Sequence, residues 1–435
     1  MTSKLSRRDL FCRFGKVALM APICGLTLFE AGCGGATGSS VGPPAPETDE
    51  ALLDEIEHAA FSFFFNEASA TTGLVKDRAH ADGGDSYTVS SIAATGFGLT
   101  ALCIGDQRGY GDSASIASRV KATLTFLLNQ MPNQNGFFYH FVDMNSGARA
   151  FTSEVSSIDS AILMCGVLTC RQHFADPAIA DLAKQLYERV DWVWMLDGGT
   201  TLSLGWTPES GFLAGRWDTY NELMMLYLLA MGSPTHPIPA ASWQAWARPM
   251  VEFQGLRYIA GAPPLFIHQY SHAWFDFRNK SDAFANYFEN SIVATQAHKE
   301  FCVSLVGQFA DYTDNLWGIT SSDSINGYVA WGGPPGEGPI DGTVVPCAVA
   351  GSLPFASTDC LAVLHNVRNN FPLAWKTYGF VDAFNPLSGW YDVDVVGIDV
   401  GISMLMAENQ RSGFVWQTFM KNPEANQGMA VAGFK

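Results

Sequence analysis

Apolar residues recur at helical spacing along most of this 435-residue chain, and strand-like alternation of apolar and polar positions is scarce. The periodic segments are several turns long, and Gly-rich loops separate them. The predicted helices cover residues 51–67, 89–105, 113–129, 156–174, 179–195, 219–231, 241–253, 281–309 and 357–367. The pattern therefore predicts an all-α protein.

Four loops between these helices are long and rich in Gly, aromatic residues and Asp: residues 77–87, 133–149, 316–343 and 378–401. Loops of this length in a compact domain are more often functional than not. No Pro/Ser-rich linker interrupts the chain after residue 48, so we expect one domain of helical hairpins with active-site loops at one end. A closed toroid and an open solenoid both fit, and the lack of a fixed-period repeat gives the solenoid no support.

One carboxylate, Glu222, stands at the start of a segment that has no Asp, Glu, Lys or Arg from residue 223 to residue 236. A helix without charges has no face suited to water and is expected to be buried. In one interpretation Thr219 is the N-cap and Glu222 completes a capping box. In the other, Trp217, Tyr220 and Glu222 line a cleft in which the buried carboxyl is a proton donor.

Two further carboxylates, Glu154 and Asp159, precede the apolar helix of residues 156–174. Helix capping is the simpler explanation for each, although Ser156 or Ser157 could cap instead. In the functional interpretation they face the same cleft as Glu222. Paired carboxylates beside aromatic residues are what hydrolysis of a glycosidic bond requires, with either inversion or retention.

The remaining candidates lie in segments 266–278, 317–346 and 380–410. His268 and His272 are four residues apart, but the glutamate of an HExxH motif is absent, which favours polar substrate contact over zinc. The clustered Asp residues near the end of the chain lack the spacing of an EF-hand. From these segments the predicted substrate-binding residues are His268, Tyr270, His272, Asp276, Arg278, Asp323, Tyr328, Trp331, Asp341, Trp390 and Glu408.

Composition narrows the class of ligand. The formal net charge of −17 makes nucleic acid and anionic lipid surfaces poor partners. The chain has 12 Trp and 13 Tyr, many of them in loops, which suits a neutral ligand with apolar faces such as a sugar, whereas most of the 30 Phe should fill the core. No nucleophile elbow, phosphate loop or Cys pair with metal-ligand spacing occurs, so no cofactor and no metal is predicted.

The first 48 residues have the pattern of an export signal followed by a tether. Arg7 and Arg8 precede an apolar run over residues 17–29, as in twin-arginine signals, and this run is too short to span a membrane. Ala31-Gly32-Cys33 is similar to a lipoprotein processing site, and a tether rich in Gly, Ser and Pro follows. We expect a signal over residues 1–33, a tether over 34–48, a domain over 49–435, and a periplasmic or cell-envelope protein that a lipid on Cys33 anchors.

Several blocks in one order resemble the glucoamylase-like proteins of glycoside hydrolase family 144, which act on β-1,2-glucans. The most specific blocks are SEVSSIDSAIL, WDTYNELMMLYLLAMGSPTHPI, HQYSHAWFDFR, GYVAWGGPP with DGTVVP, YGFVDAFN, and GIDVG with MAEN. The resemblance covers the chain from about residue 52 onward. It implies a single (α/α)6 toroid and metal-free hydrolysis with inversion.

The resemblance also implies roles for three carboxylates. Glu222 of WDTYNE matches the general acid and Asp399 of GIDVG the base, while Glu154 of SEVSSID is the next catalytic candidate, with Asp159 beside it in the cleft. The expected function is inverting hydrolysis of a β-glucan, preferably β-1,2-linked. The alternatives are a transglycosylase, a retaining or an exo-acting enzyme of the same fold, and a surface lipoprotein that binds glycan without cleaving it.

Overall fold

The structure is a computed structural model that describes residues 48–435; the predicted signal, Cys33 and nearly all of the tether lie outside the described residues. Its helices are α1 (Asp49–Asn66), α2 (Ile92–Arg108), α3 (Ser113–Asn129), α4 (Ser157–His173), α5 (Pro177–Glu188), α6 (Met224–Gly232), α7 (Ala241–Gln244), α8 (Tyr287–Ser304), α9 (Pro346–Ala350), α10 (Ser357–Asn370), α11 (Gly397–Arg411), α12 (Phe414–Phe419) and α13 (Pro423–Ala432). Short 3₁₀ segments cover Trp194–Leu196, Leu265–His268, Tyr270–Ala273 and Pro372–Ala374.

The strands are short and form small antiparallel pairs. They are β1 (Arg78–His80), β2 (Val89–Ser91), β3 (Asn133–Gln134), β4 (Phe137–Phe138), β5 (Phe141–Asp143), β6 (Val155–Ser156), β7 (Gly205–Thr207), β8 (Gly211–Phe212), β9 (Met250–Phe253), β10 (Leu256–Ile259), β11 (Trp375–Lys376), β12 (Gly379–Phe380), β13 (Phe384–Asn385), β14 (Trp390–Tyr391) and β15 (Asp394–Val396). The pairs are β1–β15, β2–β5, β3–β4, β9–β10, β11–β12 and β13–β14, and β6, β7 and β8 form a three-stranded sheet.

Side-chain caps explain where several helices begin. The side chains of Ser91 and Ser156 accept the amide protons of Ala94 and Asp159 at the starts of α2 and α4. These bonds satisfy amides that have no partner inside the helix. Of the two serines proposed as caps for α4, Ser156 is the one that acts.

The helices form two layers around a closed ring. Helices α2, α4, α6 and α11 are buried on nearly every side, and together with α9 and the 3₁₀ segments at 265–273 they make the inner layer. Most of the other helices, such as α1, α3, α5, α8 and α13, pack outside this layer. The ring closes because α11 packs against both α9 and α2, so the predicted toroid of helix pairs is confirmed and an open solenoid is excluded.

Glycine allows the inner helices to approach closely. A Cβ atom on Gly166 of α4 would lie 2.1 Å from the carbonyl oxygen of Gly96 of α2, and one on Gly401 of α11 would lie 2.4 Å from the Phe97 ring. The apolar side chains of these helices form one continuous core. Six free cysteines of the described residues are buried in this core. Within residues 48–435, no helix combines the length and the apolar character that a membrane crossing requires.

The inner helices α2, α4, α6 and α11 all begin at the same end of the toroid, and strand pairs cover this end. Strand β15 leads into α11 and pairs with β1, β2 leads into α2 and pairs with β5, and β6 leads into α4 and pairs with β7. The opposite end carries ion pairs between helices, such as Arg108 with Glu408 and Arg411 with Glu57. We call the first end the cleft end.

Three predicted elements differ from the structure. Residues 241–253 are helical only to Gln244; Met250–Phe253 then form a hairpin with Leu256–Ile259, and their exposure alternates along the strand. The segment predicted from residue 219 becomes helical at Met224. Helix α11 begins inside residues 378–401, which the sequence predicts as a loop, because Gly397 and Gly401 weaken the helical signal.

Candidate active site

Glu222 immediately precedes α6 at the cleft end and is 7% exposed. The capping box proposed for it is wrong, because Thr219 lies in a β-bridge with Ala247 and the helix begins only at Met224. The side chain of Asn221, not that of Thr219, accepts the amide proton of Leu223. Ser271 donates a hydrogen bond of 2.8 Å to the Glu222 carbonyl oxygen, which holds the residue against the 3₁₀ segment.

Asp399 lies in the first turn of α11 and is 3% exposed. Tyr270 points its hydroxyl at Asp399 Oδ1, at 3.4 Å. Tyr270 and Ser271 are consecutive, so one short segment contacts both the carboxylate of Asp399 and the backbone of Glu222. Both residues lie where the helix dipole favours negative charge.

Glu154 and Asp159 meet at the start of α4, where His140 joins them. His140 Nδ1 lies 3.2 Å from Glu154 Oε1 and 3.8 Å from Asp159 Oδ2. Ser156 also donates a hydrogen bond to Asp159. The predicted proximity of Glu154 and Asp159 is therefore present, and Asp159 also takes part in the cap of α4.

A buried group of aspartates surrounds Arg78 beside Asp399. Arg78 is ion-paired with Asp323 and with Asp77, and its Nη1 lies 3.9 Å from Asp394 Oδ2. The Asp323 amide donates a 2.7 Å hydrogen bond to Asp382 Oδ2. The contact between Arg78 and Asp323 joins residues 245 positions apart in the chain.

Burial and mutual repulsion favour the protonated form of two members of this aspartate group. Burial, with the charges of Asp399, Asp323 and Asp392, raises the pKa of Asp382 well above its ordinary value. Burial, together with Asp323, raises the pKa of Asp392 to about 7. Ionisation of all the aspartates around one guanidinium is unfavourable in a buried site, because the negative charges repel one another.

Two aromatic residues from the predicted set lie close to these groups. The Trp217 indole donates a 2.8 Å hydrogen bond to Ser157 Oγ, which joins the segment before α6 to the start of α4. The Trp331 indole donates to Ser322 Oγ, next to Asp323, at 2.9 Å. Tyr328 is half-buried in the same loop.

Asp341 and Trp390 lie at the rim, around an open cavity of about 270 Å³ that Ile325, Asn385 and Leu387 also line. Ile325 is 64% exposed and Leu387 is 49% exposed. An aromatic ring with polar neighbours in an open cavity suits a sugar ring.

The structure corrects the prediction that Glu408, Asp276 and Arg278 contact substrate. Glu408 lies nine residues beyond Asp399 on α11, roughly 13 Å along the axis, and is ion-paired with Arg108 at 2.7 Å. Asp276 and Arg278 pair with each other, and the Arg278 guanidinium stacks on Trp416 of α12. These three residues lie at the end opposite the cleft.

Tyr220, His268 and His272 lie in the core, so the prediction that they contact substrate is also wrong. Tyr220 is fully buried, stacks on Tyr287, and its hydroxyl is 3.2 Å from His268 Nδ1. His272 Nε2 lies 3.1 Å from Ser291 Oγ. Burial lowers the pKa of each histidine to about 3, so both rings are neutral.

The predicted site residues do not include Arg78, His140 or Asp382, which the structure places in the site. Arg78 and His140 lie in two loops already singled out for their length, next to Asp77 and in a run of aromatic residues. Asp382 stands in the block YGFVDAFN. The sequence signal for these residues was the length of their loops. Loop length does not identify individual site residues, because the partners of a polar loop residue decide whether its side chain points into the site.

Two clusters among the described residues bring potential metal ligands within 4.8 Å of one another: His140, Glu154 and Asp159, and Asp323, Asp392 and Asp394. In the first, His140 already bonds to Glu154, and in the second Arg78 supplies a positive charge. His268 and His272 belong to neither cluster. Both donor sets thus have hydrogen-bond or ion-pair partners within the protein.

Comparisons with known proteins identify similar sequences and folds. A family model described as "Putative glucoamylase" matches residues 215–423. An exo β-1,2-glucooligosaccharide sophorohydrolase of Parabacteroides distasonis is 26% identical over an alignment of 424 residues, which covers 88% of this chain and 58% of that protein. The chain thus spans little more than half the length of that curated relative.

Two solved structures are similar over nearly their whole length. An endo-β-1,2-glucanase of Chitinophaga pinensis, in complex with sophorotriose and glucose, is 27% identical with a TM-score of 0.82, over 89% of this chain and 99% of that one. A structure from Bacteroides caccae named as a putative glucoamylase is 28% identical with a TM-score of 0.83, over 89% and 100%. The predicted resemblance to glucoamylase-like proteins is confirmed.

Proposed function

From this resemblance we propose that the chain is a glycoside hydrolase that cleaves β-1,2-glucan with inversion of the anomeric carbon. Glu222 is the general acid and Asp399 the general base. The observation that carries the proposal is the placement of two buried acidic residues at the cleft end beside one short segment: Tyr270 contacts the Asp399 carboxylate, and the adjacent Ser271 holds the backbone of Glu222. The names of the two β-1,2-glucan-cleaving relatives supply the substrate class.

In the reaction, Glu222 gives its proton to the glycosidic oxygen as the bond to the anomeric carbon breaks. Asp399 takes a proton from a water molecule as the water oxygen bonds to that carbon from the opposite face. One water is consumed, Glu222 becomes ionised, Asp399 becomes protonated, and exchange with solvent restores both. The residues around Arg78 and the cluster of Glu154 with His140 offer charged hydrogen-bond partners for sugar hydroxyls.

Trp217, Trp331, Tyr328 and the rim residues Asp341 and Trp390 are proposed to contact the glucan chain. Glu154 remains the next catalytic candidate, because its carboxylate lies at the cleft end, 3.2 Å from His140 Nδ1. A protein that only binds glycan needs aromatic platforms but has no use for isolated buried acids, so we prefer an enzyme to a binding protein.

The test is to incubate the purified protein with a panel of linkage-defined glucans and to follow the anomeric form of the first product by NMR. We expect that only β-1,2-glucan in the panel is cleaved and that the first product carries an α-anomeric reducing end. A β-anomeric first product would instead indicate a retaining enzyme, and products longer than the substrate a transglycosylase. Products of mixed length would indicate endo action, and sophorose alone exo action.

We also propose that residues 1–33 direct export by the twin-arginine route and that residues 34–48 tether the catalytic domain of residues 49–435 to a lipid on Cys33. The paired Arg7 and Arg8 and the Ala31-Gly32-Cys33 sequence support this proposal.

A further inference from the structure

Asp382 is the buried aspartate whose position the proposed chemistry does not yet use. It is 3% exposed and follows β12 in the loop that leads into β13. Its Oδ2 accepts the amide proton of Asp323 at 2.7 Å, whereas its Oδ1 is buried and has no hydrogen-bond partner among the described residues. A buried carboxyl oxygen without a partner is costly unless something outside the protein chain satisfies it.

A small cavity lies beside Asp382. Asp382 and Asp399 both line it, together with Ser403 and apolar residues of α1, α9 and α11, and its volume is about 30 Å³. A water molecule needs at least about 10–15 Å³ of such space and two or more polar neighbours. The cavity therefore has the size and the polar lining for a water between Asp382 and Asp399.

The charges around Asp382 decide its protonation state. Asp399 of α11, Asp323 of the loop after α8 and Asp392 after β14 all repel a negative charge on it, and burial adds to this. Arg78 of β1 is the cation of the group, and it is already ion-paired with Asp323 and Asp77. Asp382 is therefore the neutral acid, and because Oδ2 accepts a hydrogen bond, its proton resides on Oδ1.

We propose that Asp382 is a positioning residue for the base: its Oδ1–H donates a hydrogen bond to a water in this cavity, and that water donates to Asp399. This hydrogen-bonded chain orients the Asp399 carboxylate and keeps Asp399, not Asp382, the ionised member of the pair. No bond to carbon changes at Asp382, and its proton stays in place through the reaction. The inference rests on the proposed role of Asp399 as base.

The experiment compares Asp382→Asn, which keeps a neutral donor and an acceptor, with Asp382→Ala, which removes both. Asp382→Asn is expected to keep kcat within about threefold of wild type. Asp382→Ala is expected to lower kcat about tenfold or more with KM little changed. It should also move the acidic limb of kcat/KM upward by about half a pH unit, because the hydrogen bond that favours the charged base is lost.

Glu57→Gln is the matched control. Glu57 is also fully buried, and burial together with Glu408 raises its pKa to about 9, but it lies at the opposite end of the toroid. This variant should leave the acidic limb where it is. Circular dichroism and Tm measured for all three variants identify any that fail to fold.

Infrared difference spectra test the proton without reference to activity. Wild type minus Asp382→Asn at neutral pH should contain the C=O band of one buried carboxylic acid. The absence of that band, an Asp382→Asn protein as inactive as Asp382→Ala, or an unmoved acidic limb in folded Asp382→Ala would each overturn the inference. If wild type cleaves no β-1,2-glucan, the proposed function fails while the infrared result still decides the protonation of Asp382.

Discussion

At the residue scale, similar carboxylates acquire different roles from their neighbours. Asp399 and Glu408 lie on the same helix and are both almost fully buried. Tyr270 contacts the first at the cleft end, whereas Arg108 neutralises the second at the other end. Burial alone therefore does not identify a catalytic acid or base, and the partner has to be known.

Replacement of Glu222 by Gln tests the acid. Because Glu222 caps no helix in this structure, the change should cost at most about 1 kcal/mol of stability, and Tm should barely move. Loss of the proton donor should lower kcat by roughly a hundredfold or more. Asp399→Asn should lower kcat to a similar extent. Steady-state kinetics on β-1,2-glucan and thermal unfolding measure the two effects.

Glu209→Gln is the control for this pair. Glu209 is an exposed glutamate that pairs with Arg149 on the surface, so its replacement should leave kcat unchanged. A folded Glu222→Gln protein with near-normal hydrolysis would remove Glu222 from the mechanism.

At the scale of elements, the short 3₁₀ segments at 265–273 take the place of a full inner helix. The side chains of Tyr270 and Ser271 contact Asp399 and the Glu222 backbone. His268 and His272 point into the core. The i, i+4 spacing that suggested a metal pair on a helix instead places the two rings against different partners, Tyr220 and Ser291.

Exhaustive chelation is therefore expected to leave activity unchanged. The two histidines are neutral and hydrogen-bonded within the core, and the two acid clusters of the cleft already contain His140 and Arg78. The measurement is hydrolysis by chelator-treated, buffer-exchanged protein. Activity that disappears and returns with added zinc or calcium would contradict this reading of the site.

The contact between α2 and α4 depends on glycine. Gly166→Ala places a methyl group 2.1 Å from the Gly96 carbonyl oxygen, so the two helices must separate. We expect a loss of about 2 kcal/mol or more in the free energy of unfolding. Gly307→Ala, where the added methyl meets no atom within 4 Å, should change it little. Equal Tm values for the two variants would show that this helix pair tolerates a wider spacing.

At the scale of the whole molecule, the toroid gathers distant loops at one end. The strand pairs β1–β15, β2–β5 and β6–β7 link the starts of α11, α2 and α4. The proposed catalytic groups therefore come from segments spread over most of the domain, and the N-terminal tether stands apart from them in the chain.

Membrane partitioning tests the proposed anchor. If a lipid on Cys33 holds the protein, wild type should fractionate with membranes and Cys33→Ala should be found in the soluble fraction, with catalytic activity retained in both. Immunoblots of separated fractions measure this. Equal partitioning of the two forms would rule out the lipid anchor.

The sequence by itself determined the helical class, the cleft-end loops and the anomaly of Glu222, because periodicity and a missing charge are local properties of the chain. The resemblance of several sequence blocks to a known family identified Asp399 as the candidate base. The local pattern could not distinguish a capping box from an active-site acid at Glu222. The spacing from Thr219 that a capping box requires is equally compatible with an active-site acid.

Only the tertiary structure decided which polar residues share a site. Arg78 meets Asp323 across 245 residues, and Asp382 meets Asp399 across a cavity, and no local pattern records such pairs. The same reason explains the errors: His272, Asp276, Arg278 and Glu408 stand in blocks that resemble site segments, yet closure of the ring turns them into the core or to the opposite end. Long-range packing, which depends on all the helices at once, sets the direction in which each side chain points.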